Sequence, residues 1–147
     1  MTTPSKEEQL RRLIAELRLM QGTAETLQRR LELLRSAAAD LRVAESSIGA
    51  LRDLGEGTPI LVPMGGGALV NANLGDLSRV IVGVGADVSV EMDLEGAMGD
   101  ISARLAEVER TEGSVQQQLE RVLGQMQLHQ DGINRLGAEL RGEAAGV

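Results

Sequence analysis

From Leu10 the apolar residues return at alternating steps of three and four, through Leu13, Leu17, Met20, Ala24, Leu27, Leu31, Leu34, Ala38, Leu41 and Ile48, with Glu45 the one polar occupant of the series. A period near 3.5 lines one helix face with a continuous seam, as coiled coils require. Ser5 and Glu8, three residues apart and just after Pro4, form a capping-box pattern, and Gly55 stands where a C-cap glycine belongs. A first helix is expected over about residues 6–54, a rod of about 70 Å at 1.5 Å per residue.

A second series runs through Leu94, Met98, Ile101, Leu105, Val108, Val115, Leu119, Val122, Met126, Ile133, Leu136 and Leu140, interrupted by Glu112 and His129. Asp93 is placed to cap it, which predicts a helix over 93–140 and a flexible Gly/Ala-rich tail over 141–147. Gly96, Gly99, Gly113, Gly124, Gly132 and Gly137 lie inside it, and each disfavours helix by roughly 0.8–1 kcal/mol relative to Ala. Such a helix is held by pairing. Two helices of similar length around a compact insert fold back most simply as an antiparallel coiled coil. Setting Leu51 level with Leu94 brings Leu10 near Leu136 and both chain ends to one tip. Glu45 then faces Ile101, Glu112 faces Leu34 and His129 faces Leu17.

The insert changes period. Ile60–Val62, Leu69–Leu74, Val80–Val84 and Val88–Glu91 are short β-branched or alternating runs, separated by Pro63–Gly67, Gly75–Ser78 and Gly85–Asp87. They predict four strands, forming two β-hairpins over residues 58–92. Val80-Ile81-Val82 hardly alternates, so that strand is expected to have both faces covered. Isolated hairpins are marginal in water and offer unpaired edges, so an oligomer is expected. The fold class is therefore α+β: a long two-helix coiled coil with two β-hairpins between the helices, in a single domain over 1–147.

Composition narrows the shape and the chemistry. Among 147 residues there is no Phe, Trp, Tyr or Cys. Burial falls to aliphatic side chains, which suit a narrow seam or a small barrel better than a thick core. Without Cys there is no disulfide framework, thiol catalysis or thiolate metal site. The net charge of −7, with no basic block longer than Arg11-Arg12 or Arg29-Arg30, disfavours nucleic acid as a partner. The start, Met-Thr-Thr-Pro-Ser-Lys-Glu-Glu, carries no apolar signal region and no run is long enough to span a membrane. A soluble, cytoplasmic protein is the expectation.

Leu61–Val70 (LVPMGGGALV) and Val80–Glu91 (VIVGVGADVSVE), set between two coiled-coil helices, resemble the alpha subunits of the archaeal prefoldins. The architecture covers the whole chain, and the sequence-specific part is residues 61–97. The resemblance implies an ATP-independent holdase without cofactors: two alpha and four beta subunits joined through a double β-barrel. Non-native proteins are held between coiled-coil tips and passed to a group II chaperonin. Leu69 stands where relatives often carry an aromatic, which implies a looser barrel. Asp87 replaces a usual turn Gly, a position at which Asp tolerates left-handed backbone with some strain.

On this reading Leu61, Leu69, Leu74, Val80, Ile81, Val82, Val84, Val88 and Val90 serve oligomerisation. The candidate client-contact residues at the tip are Leu10, Leu13, Ile14, Leu17, Leu128, Ile133, Leu136 and Leu140. Ile14, Leu19, Leu33 and Leu128 are apolar outside the seam, where single exposed aliphatics are ordinary; three of them fall toward the chain ends. Gly65-Gly66-Gly67 and Gly83-Val84-Gly85 read as turns, because no Lys-Ser/Thr follows and the next element is a strand. His129, the sole histidine, has no ligand set beside it. Glu45 and Glu112 are too far apart for a paired-carboxylate site. No catalytic, cofactor or metal constellation emerges, so an enzyme is not expected. The rival readings are a subunit that self-assembles into scaffolds or filaments, and a coiled-coil adaptor for one defined partner.

Overall fold

The computed structural model describes residues 2–146; Met1 and Val147, the ends of the expected domain, lie outside them. The element order is α1 (Lys6–Asp53), β1 (Pro59–Gly65), β2 (Ala68–Asn73), β3 (Val80–Gly85), β4 (Val88–Met92) and α2 (Leu94–Ala145). The sheets are two separate antiparallel pairs, β1 with β2 and β3 with β4, so the fold is two long helices carrying two small hairpins. The chain divides into two compact units, Met1–Arg35 with Arg110–Val147 and Ser36–Glu109.

In the first unit the seam residues meet as their spacing requires. Ala24, Leu31, Val115 and Leu119 form a buried cluster, with Leu27, Leu34, Val122 and Met126 packed against it. The capping box forms: the Glu8 amide donates to Ser5 Oγ at 3.2 Å and the Ser5 amide to Glu8 Oε2 at 3.3 Å. Arg35 donates to Glu112 and Gln116, each at 3.3 Å. Helix α2 runs past the expected end at Leu140 to Ala145, so residues 141–145 are helical where a tail was expected. One cause is a partner at each side: Lys6 of α1 pairs with Glu139 at 3.6 Å and with Glu143. Exposed pairs of this kind contribute little, but enough to bias a fraying last turn.

In the second unit Arg42 donates to Glu109 at 3.1 Å, Ser102 donates its hydroxyl proton to Glu45 at 2.9 Å, and Arg52 pairs with Glu95 at 2.9 Å. These contacts reproduce the antiparallel register that the seams predict. Ala38 and Ala97 are fully buried, small side chains on facing helices. Asp93 caps α2, accepting from the Gly96 amide at 2.6 Å. Gly55, by contrast, is not a left-handed C-cap; positive φ appears at Gly57 instead. The Thr58 hydroxyl replaces the cap: it accepts from the Gly55 amide at 3.1 Å and donates to the Gly55 carbonyl at 2.6 Å.

The two hairpins share one construction. In the first, Val62 pairs with Val70 and Pro63 with Leu69, Met64 is an extra bulged residue, and Gly65 pairs with Ala68. In the second, Val82 pairs with Val90 and Gly83 with Ser89, Val84 is the bulge, and Gly85 pairs with Val88. Both two-residue loops are left-handed throughout, Gly66 and Gly67 at φ 58° and 81°, Ala86 and Asp87 at 51° and 60°. That is the geometry of tight hairpin turns whose twist matches the strands. Asp87 adopts the expected left-handed conformation, and Ala86 does so as well, at an expense of roughly 1–2 kcal/mol for an L-residue.

Candidate functional site

Two surfaces carry the residues singled out in the sequence, and they differ in how much of each residue remains available. On the hairpins, Leu61, Leu69, Ile81, Val84, Val88 and Val90 are exposed, Leu74 and Val80 are half-buried, and Val82 is buried. Met64 and Val70, absent from the sequence-based set, are also exposed large aliphatics. Their signal was available, since Val70 pairs with Val62 and Met64 lies between two turn-flanking residues. Residues 57–75 contain no charged side chain, so the first hairpin presents an uncharged, apolar surface with open strand edges.

Among the described residues, only the second hairpin contributes to a buried cluster. Val80, Val82 and Met92 pack with Ile48, Ala97 and Ile101, and with Leu41, Ala44, Leu94 and Met98 around them. Because Val80 pairs with Met92 and Val82 with Val90, these residues share one face of the β3–β4 ribbon. The opposite face is led by Ile81, 70% exposed. The covering expected on both sides of β3 is therefore present on one side in the single chain. Among the described residues, the buried core takes Val82 from the second hairpin and nothing from the first. Exposed unpaired edges with a bare apolar face are a template for further strands.

At the helix end of the first unit, the eight proposed contact residues are not equivalent. Leu136 is buried at 6% exposure, and Leu10, Leu13, Ile14, Leu17, Ile133 and Leu140 are half-buried. Most belong to the seam and are occupied in holding α1 to α2. Leu128 is 71% exposed, as are Leu19 at 75% and Leu33 at 72%. Leu123 in this unit and Val43 in the second unit are further exposed aliphatics that the heptad pattern did not flag. Leu19 borders a shallow cleft of about 290 Å³ lined by Glu16, Met20, Thr23, Val122 and Gln125.

The polar seam residue His129 has a defined partner. Its Nε2 lies 2.7 Å from Glu16 Oε2 and its Nδ1 lies 3.0 Å from the Gln125 carbonyl oxygen. Both ring nitrogens thus face acceptors, an arrangement suited to the doubly protonated ring. The bond to Glu16 first, and then that to Gln125, raise the His129 pKa above its ordinary 6.5. Glu16 is correspondingly held below its ordinary value by His129 and by Arg12, whose Nε is 2.9 Å away. Leu19 follows Glu16 by three residues and Leu128 directly precedes His129, so this contact puts two of the three most exposed leucines at one level of the helix pair. Glu112 is tied to Arg35 and Glu45 to Ser102, so all three polar interruptions of the seams are satisfied by interhelical contacts. No helix among the described residues is long and apolar enough to cross a membrane.

Comparison with known proteins gives a consistent result. A family model described as "Prefoldin subunit" matches residues 20–139. Prefoldin subunit alpha of Methanothrix thermoacetophila is 43% identical over 100 residues, 68% of this chain and 65% of that one, so the match spans just under two thirds of that relative. Prefoldin subunit alpha of Methanopyrus kandleri is 32% identical over 113 residues, covering 77% of this chain and 72% of that one. That of Methanospirillum hungatei is 25% identical over 147 residues, covering 100% and 98%. Among solved structures, a cryo-EM structure of filamentous PFD from Methanocaldococcus jannaschii matches with a TM-score of 0.64 at 25% identity, covering 75% of this chain and 91% of that chain.

Proposed function

The chain belongs to the prefoldin family, with the archaeal alpha subunits, and from that premise we propose that it acts as an ATP-independent holdase within a heteromeric particle. The family is one of non-enzymatic chaperones whose subunits work in oligomeric complexes. In our reading the exposed faces of the hairpins, with Leu61, Leu69, Ile81 and Val88, join those of other subunits in a β-barrel. Two alpha and four beta subunits make the particle, which operates in the cytoplasm, captures non-native proteins with its helix pairs and hands them to a group II chaperonin.

The observation that carries the holding role is the exposure of Leu19 and Leu128 at one level of a helix pair whose own seam is already filled. Aliphatic surface that the fold does not consume is what a weak, unselective contact with unfolded chains requires. The absence of aromatic anchors suits rapid release, because rigid hot spots are built mainly from Trp, Tyr and Arg. The seam residues are poorer candidates, since replacing Leu136 also opens the coil.

The test is suppression of light scattering when a denatured client is diluted into the particle formed with a beta-type subunit. Leu19→Gln with Leu128→Gln is expected to reduce protection while leaving particle mass and helix content unchanged. Full protection by the double variant would remove these residues from the client surface. A second reading, a homomeric scaffold or filament, is favoured by the structural similarity to a filamentous PFD and by the open hairpin edges. It predicts long polydisperse species from this chain alone, measured by refractive index because the chain has no Trp or Tyr.

A further inference from the structure

One polar contact joins helix α2 to the second hairpin, and its geometry is that of a bracket. Arg104 Nη1 donates to the carbonyl oxygen of Gly83 at 2.6 Å. The other terminal nitrogen, Nη2, lies 2.7 Å from Asp100 Oδ2, one helical turn earlier on α2. Both side chains are only about one third exposed, at 33% and 32%. The planar fork of a guanidinium fixes the direction of its donors, so the aspartate that holds one arm also aims the other. The contact with Asp100 is an ion pair, while the bond to the Gly83 carbonyl is a charge-assisted hydrogen bond, a class roughly twice as strong as neutral ones.

The place where it grips matters as much as the strength. Gly83 is the last regularly paired residue before the Val84 bulge, where the strand bends. The preceding residue, Val82, is the one buried strand side chain among the described residues, at 6% exposure against the helices. Val80 and Met92 pack beside it half-buried, but apolar contacts are non-directional and leave the ribbon some freedom of tilt. A directed bond to the adjacent residue removes that freedom. The first hairpin has the same internal construction but contributes nothing to the buried core, and the backbone bonds at its base, Gly57 to Leu74 and Leu74 to Thr58, are its own.

Resting on the reading that the hairpins assemble, the geometry points to Arg104 as a positioning residue: held by Asp100, it sets the angle at which the β3–β4 ribbon meets strands from other subunits. Closure of a sheet into a barrel demands a fixed strand tilt and stagger. A strand contact that misses the closing rotation propagates into an open assembly instead. Arg104 therefore biases the particle towards a closed, discrete form, and its loss shifts the population towards open, polydisperse forms without unfolding the helices.

The experiment uses the full chain with a beta-type prefoldin subunit, with the mass distribution followed by analytical ultracentrifugation over a concentration series. Arg104→Ala is expected to raise the concentration at which the discrete particle dissociates by roughly tenfold or more, the scale of one lost charged hydrogen bond, with larger open species appearing and helix content unchanged. Arg104→Lys, which keeps a cationic donor but lacks the fork, is expected to restore the discrete particle in part, whereas Arg104→Met, which keeps the aliphatic bulk without donor or charge, is expected to behave as Arg104→Ala does; full restoration by Arg104→Met would assign the effect to bulk alone and overturn the proposal. Should Arg104→Ala lose helix content, Asp100→Asn decides: it keeps the side-chain size and frees the guanidinium, and broadening of the mass distribution is expected. An unaltered discrete particle in Arg104→Ala, or in Asp100→Asn where that variant decides, overturns the proposal while leaving the assembly reading intact. If the unmodified chain forms no discrete particle with its partner, the assembly reading itself fails.

Discussion

Replacing Val82 by Ala separates the attachment of the second hairpin from the stability of the helices. Val82 sits against Ile48, Ala97 and Ile101 at 6% exposure, and the substitution removes two methyl groups from that seat. At about 0.8 kcal/mol per buried carbon the transfer loss is about 1.6 kcal/mol. Incomplete collapse around the vacancy brings the total to roughly 1.5–2.5 kcal/mol. Ala97 is already fully buried and has no side chain to swing inward, so the upper part of that range is expected. Local opening of β3–β4 should become roughly tenfold to sixtyfold more frequent, since each 1.4 kcal/mol is a factor of ten. Hydrogen exchange followed by mass spectrometry reads this directly: peptides over 80–92 accelerate, while peptides over 115–126, in the other unit, hold their protection. Equal acceleration in both regions would refute the reasoning, because the hairpin would then be part of one cooperative structure. No change over 80–92 would show that the hairpin is held without Val82.

Three further outcomes follow from single positions. Ala86→Gly relieves a left-handed alanine at φ 51° and is expected to stabilise the second hairpin by about 1 kcal/mol, less the entropy that glycine adds to the unfolded chain; slower exchange of the β4 amides checks it. Gly124→Ala has open space around the new Cβ, whereas at Gly132 that atom would meet Leu13 Cδ1 at 3.2 Å. The first should raise thermal stability by roughly 0.8–1 kcal/mol through helix propensity and the second by less, compared by circular dichroism melts of both variants. The Glu16–His129 pair is pH-dependent. A raised histidine pKa adds stability that is complete below the ordinary 6.5 and is lost as pH rises through the raised value. A lowered glutamate pKa adds stability that is complete above its ordinary 4.5 and is lost as pH falls through the lowered value. The pair therefore contributes most between about pH 4.5 and 6.5. His129→Gln should flatten the decline in melting temperature between pH 6 and 9, and an unchanged slope would show that the ion pair adds nothing.

What was legible in the sequence was whatever obeys a period. The two seams gave the helices, and alignment of Leu51 with Leu94 placed Glu45 by Ile101, Glu112 by Leu34 and His129 by Leu17, each one residue from the partner found: Ser102, Arg35 and Glu16. The two hairpins followed from the strand runs and their glycine-bearing turns, down to the left-handed Asp87, whereas the bulges at Met64 and Val84 carry no such signal. Contacts that depend on where a hairpin lies in space were not legible. Arg104 reaches Gly83 across a strand, a turn and three helical turns, and nothing periodic links the two. Glu16 escaped notice as the partner of His129 because it flanks the seam and does not occupy it. The helix end was misjudged at residues 141–145 because Gly142 and the alanines suggested fraying, while Lys6, far away in sequence, supplies Glu143 with a partner. Seam membership also overstated the availability of Leu136, since the pattern that predicts a contact face cannot distinguish a face already in use.

The ion pairing of Lys6 has a practical side. Lys6 is the sole lysine of the chain, and Glu143 together with Glu139 keeps its amine protonated beyond the usual range. Acylating reagents need the neutral amine, so the pairing slows their attack on a side chain that is otherwise open to solvent. Replacing Glu143 by Gln would unmask it, giving one addressable amine on a chain that otherwise carries only its α-amino group. A photocrosslinker installed there would sit where the start of α1 meets the end of α2, and would record which polypeptides pass that point.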